Sequence, residues 1–133
     1  MKKALLAAIC FFAWTAPTRA QDTYEKILDE MVPAFGKLAD TLGTIKDKKT
    51  SDEAKPKLKE IAKQMGELKA RADKLGEPQG DKKTDLEKKY KPKMEEHTKK
   101  LSTEMIRIAT QVEGGMDIVK EISELLAPLG KKK

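Results

Sequence analysis

Thiols and imidazoles are nearly missing from this chain, which holds one cysteine and one histidine in 133 residues. Their scarcity excludes a disulfide framework, a thiolate zinc site and any catalytic centre that needs two imidazoles. Aromatic residues make up only 5%, and β-branched runs of the kind strands prefer are almost absent. No apolar run reaches the roughly 20 residues needed to span a bilayer. No Gly-rich phosphate loop, Ser/His/Asp set or clustered carboxylate pair appears where the pattern would supply a pocket, so an enzyme is not expected.

What is present begins with an export signal. In MKKALLAAICFFAWTAPTRA, Lys2 and Lys3 form a positive start, Ala4 to Trp14 an apolar stretch, and Thr18-Arg19-Ala20 a small-x-Ala cleavage site. Residues 1–20 are therefore expected to be a secretory signal cleaved before Gln21, leaving a single domain over 21–133 that is periplasmic or secreted. A lipoprotein reading centred on Cys10 is set aside, because the bulky Ile9 precedes it and the apolar stretch would be cut in half. Removing the leader takes away Cys10 and Trp14 and leaves three aromatics, Tyr24, Phe35 and Tyr90. That is too few for a platform that stacks nucleobases, and no specific nucleic-acid partner is expected.

The net charge of +6 shrinks in the same way. Of 28 Lys and Arg, three lie in the leader (Lys2, Lys3, Arg19) and three in the tail Lys131–Lys133, so residues 21–130 hold 22 bases against 22 acids. The tail reads as a solubilising terminus more readily than as a contact for anionic surfaces.

Apolar positions follow helical spacing throughout, which predicts an all-α, up-down-up-down bundle of three long helices (about 22–46, 51–75 and 84–113) and one short C-terminal helix (about 116–127). The first stripe is Tyr24, Leu28, Met31, Phe35, Leu38, Leu42, Ile45, and the second is Ala54, Leu58, Ile61, Met65, Leu68, Ala72, Leu75. Both step 4-3 like a coiled-coil seam. The third, Leu86, Tyr90, Met94, His97, Leu101, Met105, Ile108, Val112, follows an eleven-residue period, and the mixture argues for a globular bundle. Asp22 with Glu25, Thr50 with Glu53 and Thr84 with Glu87 are the expected capping boxes. Pro33, Pro56 and Pro92 fall opposite the stripes, which predicts bends rather than breaks. Acid-then-base pairs at i, i+4, such as Asp85 with Lys89 and Glu96 with Lys100, describe a solvated surface. Connections of six to eight residues make successive helices antiparallel.

The short fourth helix leaves the far end of the bundle under-covered. Tyr24, Leu28, Met31, Leu68, Leu75, Leu86, Tyr90 and Met94 gather there, either as a three-helix core or as an apolar groove. His97, the lone imidazole, sits in the third stripe, where a packed boundary histidine is the default. Its alternative is haem ligation with Met31 as the second axial group. In size, export and topology the chain resembles the cytochrome b562 type, whose histidine is carried near the end of the last helix; here that helix has none. Position 94, three before His97, is Met, so the Glu-x-x-His pair of a di-iron site is missing. The mature methionines stand singly, as core filler rather than metal ligands.

The signal together with Thr-Ile-Lys-Asp (44–47), Ala-Lys-Pro-Lys-Leu-Lys (54–59), Leu-Gly-Glu-Pro (75–78) and Lys-Tyr-Lys-Pro-Lys-Met-Glu (89–95) resembles a group of small exported bacterial helical proteins of unassigned function. The resemblance covers most of residues 24–112 and implies fold and compartment, with no activity or ligand. The expected function is accordingly non-enzymatic binding of a protein or other component of the cell envelope, or a structural role there. The alternatives are a small-ligand or haem carrier using the under-covered end, and a chaperone-like holdase.

Overall fold

A computed structural model describes residues 23–130. The expected leader and the Lys131–Lys133 tail lie outside the described residues. Within them the chain forms four helices and no strand: α1 Tyr24–Gly43, α2 Lys48–Leu75, α3 Asp81–Gln111 and α4 Gly115–Gly130. The all-α bundle with a short last helix is therefore the fold. All three prolines expected inside helices are there, and Pro33, Pro56 and Pro92 are exposed. A missing N–H on the solvent side leaves the core-facing hydrogen bonds intact.

The helix boundaries shift by a few residues, for reasons visible in the caps. Thr23 opens α1, its hydroxyl accepting from Lys26 N–H at 3.3 Å; the Asp22 expected in that role is outside the described residues. In α2 the cap is Asp47, not Thr50. The Asp47 carboxylate accepts from Thr50 N–H at 2.8 Å while Thr50 Oγ1 accepts from Asp47 N–H at 3.0 Å, a reciprocal box three residues earlier than expected. The Thr50 N–H, and then the Thr50 hydroxyl donating to Asp47 Oδ1 at 2.9 Å, hold the Asp47 carboxyl below its ordinary range. For α3 the turn glycine replaces the expected Thr84 cap: Gly80 stands at φ +63°, and the helix starts at Asp81 without a side-chain cap. α4 runs through Pro128 to Gly130 instead of stopping before the proline. The connections, 44–47, 76–80 and 112–114, are shorter than the six to eight residues expected.

The α3–α4 turn depends on two glycines. Gly114 sits at φ +68°, and Gly115 is pressed so close to α3 that a Cβ there would stand 1.8 Å from the Ile108 carbonyl oxygen. No other residue fits the second position without moving backbone.

Helix directions alternate, but the packing order differs from the chain order. α1 packs on α2 and α3, and α4 packs on α2 and α3, whereas among the described residues the backbones of α2 and α3 do not approach closely, nor do those of α1 and α4. The cyclic order is therefore α1, α2, α4, α3, with α2 and α3 on a diagonal. The pairing Arg71–Glu30 runs α2 antiparallel to α1, while Lys89–Glu25 and Lys100–Asp40 run α3 parallel to it. Lys89 and Lys100, expected to pair along α3, thus reach across to α1 carboxylates instead.

The central core is built from Leu38, Leu42, Ile45, Leu58, Ile108 and Ile118, each 1% exposed or less. Ser51, Ala54, Ile61, Met65 and Leu68 complete the buried face of α2. α1 buries a wider face than its stripe, adding Ile27, Ala34 and Ala39, because it is gripped from two sides. Two helices receive their C-terminal cation from a neighbour. Arg107 of α3 donates to the Leu42 and Ile45 carbonyls at 3.1 and 2.9 Å, steadied by Glu104 at 2.7 Å. Lys69 of α2 donates to the Leu129 carbonyl of α4 at 3.0 Å. Neither α1 nor α4 has a basic residue in its own last turn, and the opposing charge complements the negative end of the helix.

Candidate binding cleft at the open end of the bundle

Lys69 marks where the fourth helix ends. Leu129 lies over Gly66, where a Cβ would come 3.9 Å from its Cδ2, and α2 runs six residues past Lys69, about 9 Å of helix. Since α2 and α3 are diagonal partners, α1 bridges them on one side and α4 on the other. Beyond α4 they stand apart on α1, and a cleft of about 540 Å³ opens between them, lined by Thr23, Tyr24, Glu25, Leu75, Pro78, Lys82, Asp85 and Leu86.

The eight residues expected at this end divide into three groups. Leu68 and Tyr90 are buried, 1% and 3% exposed, as is Ile27 of α1 at 1%. Leu28, Met31 and Met94 are half-buried and not part of the cleft lining. Tyr24, Leu75 and Leu86 form its apolar wall. Leu75 is 38% exposed, a large residue left without cover.

A polar lock holds α3 to α1 just inside the cleft. Tyr90 Oη donates to Asp29 Oδ1 at 2.6 Å, with the Glu25 carbonyl at 3.3 Å. The Asp29 bond, and then burial, push the phenol above its ordinary range, so it stays a donor. Lys89 lies 5.1 Å from the Tyr90 ring centroid and pairs with Glu25 at 3.3 Å. The Tyr24 hydroxyl, by contrast, is shielded from water and has no hydrogen-bond partner among the described residues; an unmet bond of this kind costs about 1–3 kcal/mol.

His97 and Met31 are not lining residues of this cleft. The His97 ring packs on α1, where a Cβ at Gly36 would stand 3.2 Å from Cε1. Its face is used in helix packing, made possible by a glycine. Among the described residues no group of three or more His, Cys, Asp or Glu stands ready to hold a metal ion, and no helix is long and apolar enough to cross a membrane.

Sequence reasoning missed Pro78, Lys82 and Asp85 at the cleft, and Arg107 as the cap of α1. Gly76-Glu77-Pro78-Gln79-Gly80 reads only as a breaker until the turn is seen to form a wall. The signal for Arg107 was faint: with Glu104 it is one of two charges between Leu101 and Val112.

No protein-family model matches the chain, and no curated protein or solved structure matches it either.

Proposed function

We propose that this is an exported, non-enzymatic binding protein of the bacterial cell envelope, and that its ligand occupies the cleft at the three-helix end. The observation that carries the reading is the parting of α2 and α3 beyond α4, which leaves Tyr24, Leu75 and Leu86 facing an open space of about 540 Å³. That volume suits a small amphipathic molecule or a few side chains of a larger partner. Apolar walls supply attraction and the rim supplies orientation: Lys82 offers a cation, Glu25 and Asp85 offer acceptors. A slight turn of the Tyr24 ring would give its unpartnered hydroxyl a ligand group to bond. The ligand class is therefore an apolar body with at least one polar end.

Titration of the native protein with the dye ANS is the test. Saturable fluorescence enhancement is expected, strongly reduced in Leu86→Asp and unchanged in a control such as Lys63→Asp on the exposed face of α2. A native protein that leaves the dye dark, or a Leu86→Asp variant that binds as well as its parent, overturns the cleft. The export half is tested separately, by N-terminal sequencing of protein recovered outside the cytoplasm. A chain starting at Gln21 is expected, and one starting at Met1 contradicts it.

A further inference from the structure

The outer face of α3 changes character at Leu101. Of the 16 exposed residues between 81 and 100, 13 are charged; of the five between 101 and 112, none is. Those five are Ser102, Thr103, Ile106, Thr110 and Gln111, and Ile106 is 63% exposed. Lys99, Thr103, Ile106 and Thr110 step 4-3-4 along the helix, directly opposite Leu101, Met105, Ile108 and Val112 on the core side. The two threonines present less polarity than their type suggests. Thr103 Oγ1 donates to the Lys99 carbonyl at 2.9 Å and Thr110 Oγ1 to the Ile106 carbonyl at 2.8 Å. Each hydroxyl proton is used within the helix, and a methyl group is left for a partner. On a surface otherwise crowded with Lys and Glu, this is a short coiled-coil seam with nothing against it among the described residues.

The charges at its two ends say what fits. Lys99 stands seven residues before Ile106, about 10 Å along the helix, and Glu113 seven after it, in the turn that follows the helix end at Gln111. Both are exposed, and neither makes an ion pair within the described residues. We propose that this face binds a second copy of the chain, the two α3 helices crossing antiparallel on a two-fold axis at Ile106. Ile106 then meets Ile106, the threonine methyls flank it, and Lys99 of each copy faces Glu113 of the other. A parallel pairing would set Lys99 against Lys99. The strip is about 20 Å long and one helix wide, short of the roughly 1,200 Å² of a stable interface, so the dimer is weak and concentration-dependent. It lies along α3 at the end remote from the cleft, independent of cleft binding.

Sedimentation velocity of the full chain, from micromolar to millimolar concentration, tests the inference. The weight-average sedimentation coefficient should rise with concentration in the parent and stay at the monomer value in Ile106→Arg, with circular dichroism unchanged because the residue is exposed. Lys99→Glu and Glu113→Lys should each weaken the dimer several-fold, and the double reversal, which remakes both pairs in the opposite sense, should return it close to the parent. A monomer at every concentration overturns the inference. So does a dimer indifferent to Ile106→Arg, or a double reversal no better than the single ones.

Discussion

The two ends of this bundle use the same helices and differ by one neighbour. Between the α1–α2 turn and Lys69, α4 bridges the diagonal pair α2 and α3, and Leu42, Leu58 and Ile108 are fully enclosed. Beyond Lys69 only α1 spans that pair, and Leu75 and Leu86 line an open cleft with Tyr24 of α1. Closure here is set by topology as much as by composition. Had α2 and α3 been adjacent, three helices would have packed on one another after α4 stopped. The diagonal order makes the length of α4 decide where the core ends.

The largest expected effect separates the two ends directly. Leu58→Ala, at the closed end, should destabilise the fold by about 3 kcal/mol through lost contacts and an unfilled cavity. Leu75→Ala, at the open end, should cost under about 1 kcal/mol, as for an exposed position. Urea denaturation measures both, and equal losses would break the distinction.

Arg107→Gln comes next. It removes a charged donor from two α1 carbonyls and should cost about 2 kcal/mol, whereas Lys82→Gln on the cleft rim should change stability little. Smaller again is Tyr90→Phe, which deletes the bond to Asp29 and should cost about 1 kcal/mol. Its effect belongs to the open end, loosening α3 from α1 there while the closed core stays intact. Methyl-region NMR should show shifts at Leu28 and Leu86 and none at Leu42 or Ile118.

The smallest effect is electrostatic. Lys55 and Lys48, at 2.6 and 3.1 Å, hold the Glu121 carboxyl below its ordinary 4.5. A depressed folded value means that the pair contributes above the unfolded carboxylate range and that the contribution is lost as the pH falls through the folded value. Stability at neutral pH minus stability below pH 4 should therefore shrink in Glu121→Gln, and salt should mute the difference because the groups are exposed. An unchanged acid profile at low salt would remove Glu121 from the closed end's account.

Much of this was legible from spacing. Five of the seven positions of the second stripe, Ala54 to Leu68, are buried in α2, while Ala72 and Leu75 are not and Ser51 joins the buried face, because a 3.6-residue period sets the face and the core sets its length. The short fourth helix foretold an under-covered end from length alone. The diagonal order could not be read, since connections of three to five residues join helix ends without saying which flank the next helix takes. Caps were misplaced at Thr50 and Thr84 because Asp47 and Gly80 compete for the same turn, and only backbone geometry decides between them. His97 is half-buried, and its seat against Gly36 depends on helix pairing that the stripe does not encode.

Native-state hydrogen exchange resolves the central claim, that the core closes only where α4 bridges α2 and α3. Amides of 54–65 in α2 and 101–108 in α3 should exchange only through global unfolding, while those of 70–75 and 82–88 should exchange through local opening at much lower free energy. The boundary should fall near Lys69 in α2 and near Tyr90 in α3. Uniform global protection along both helices would contradict the account.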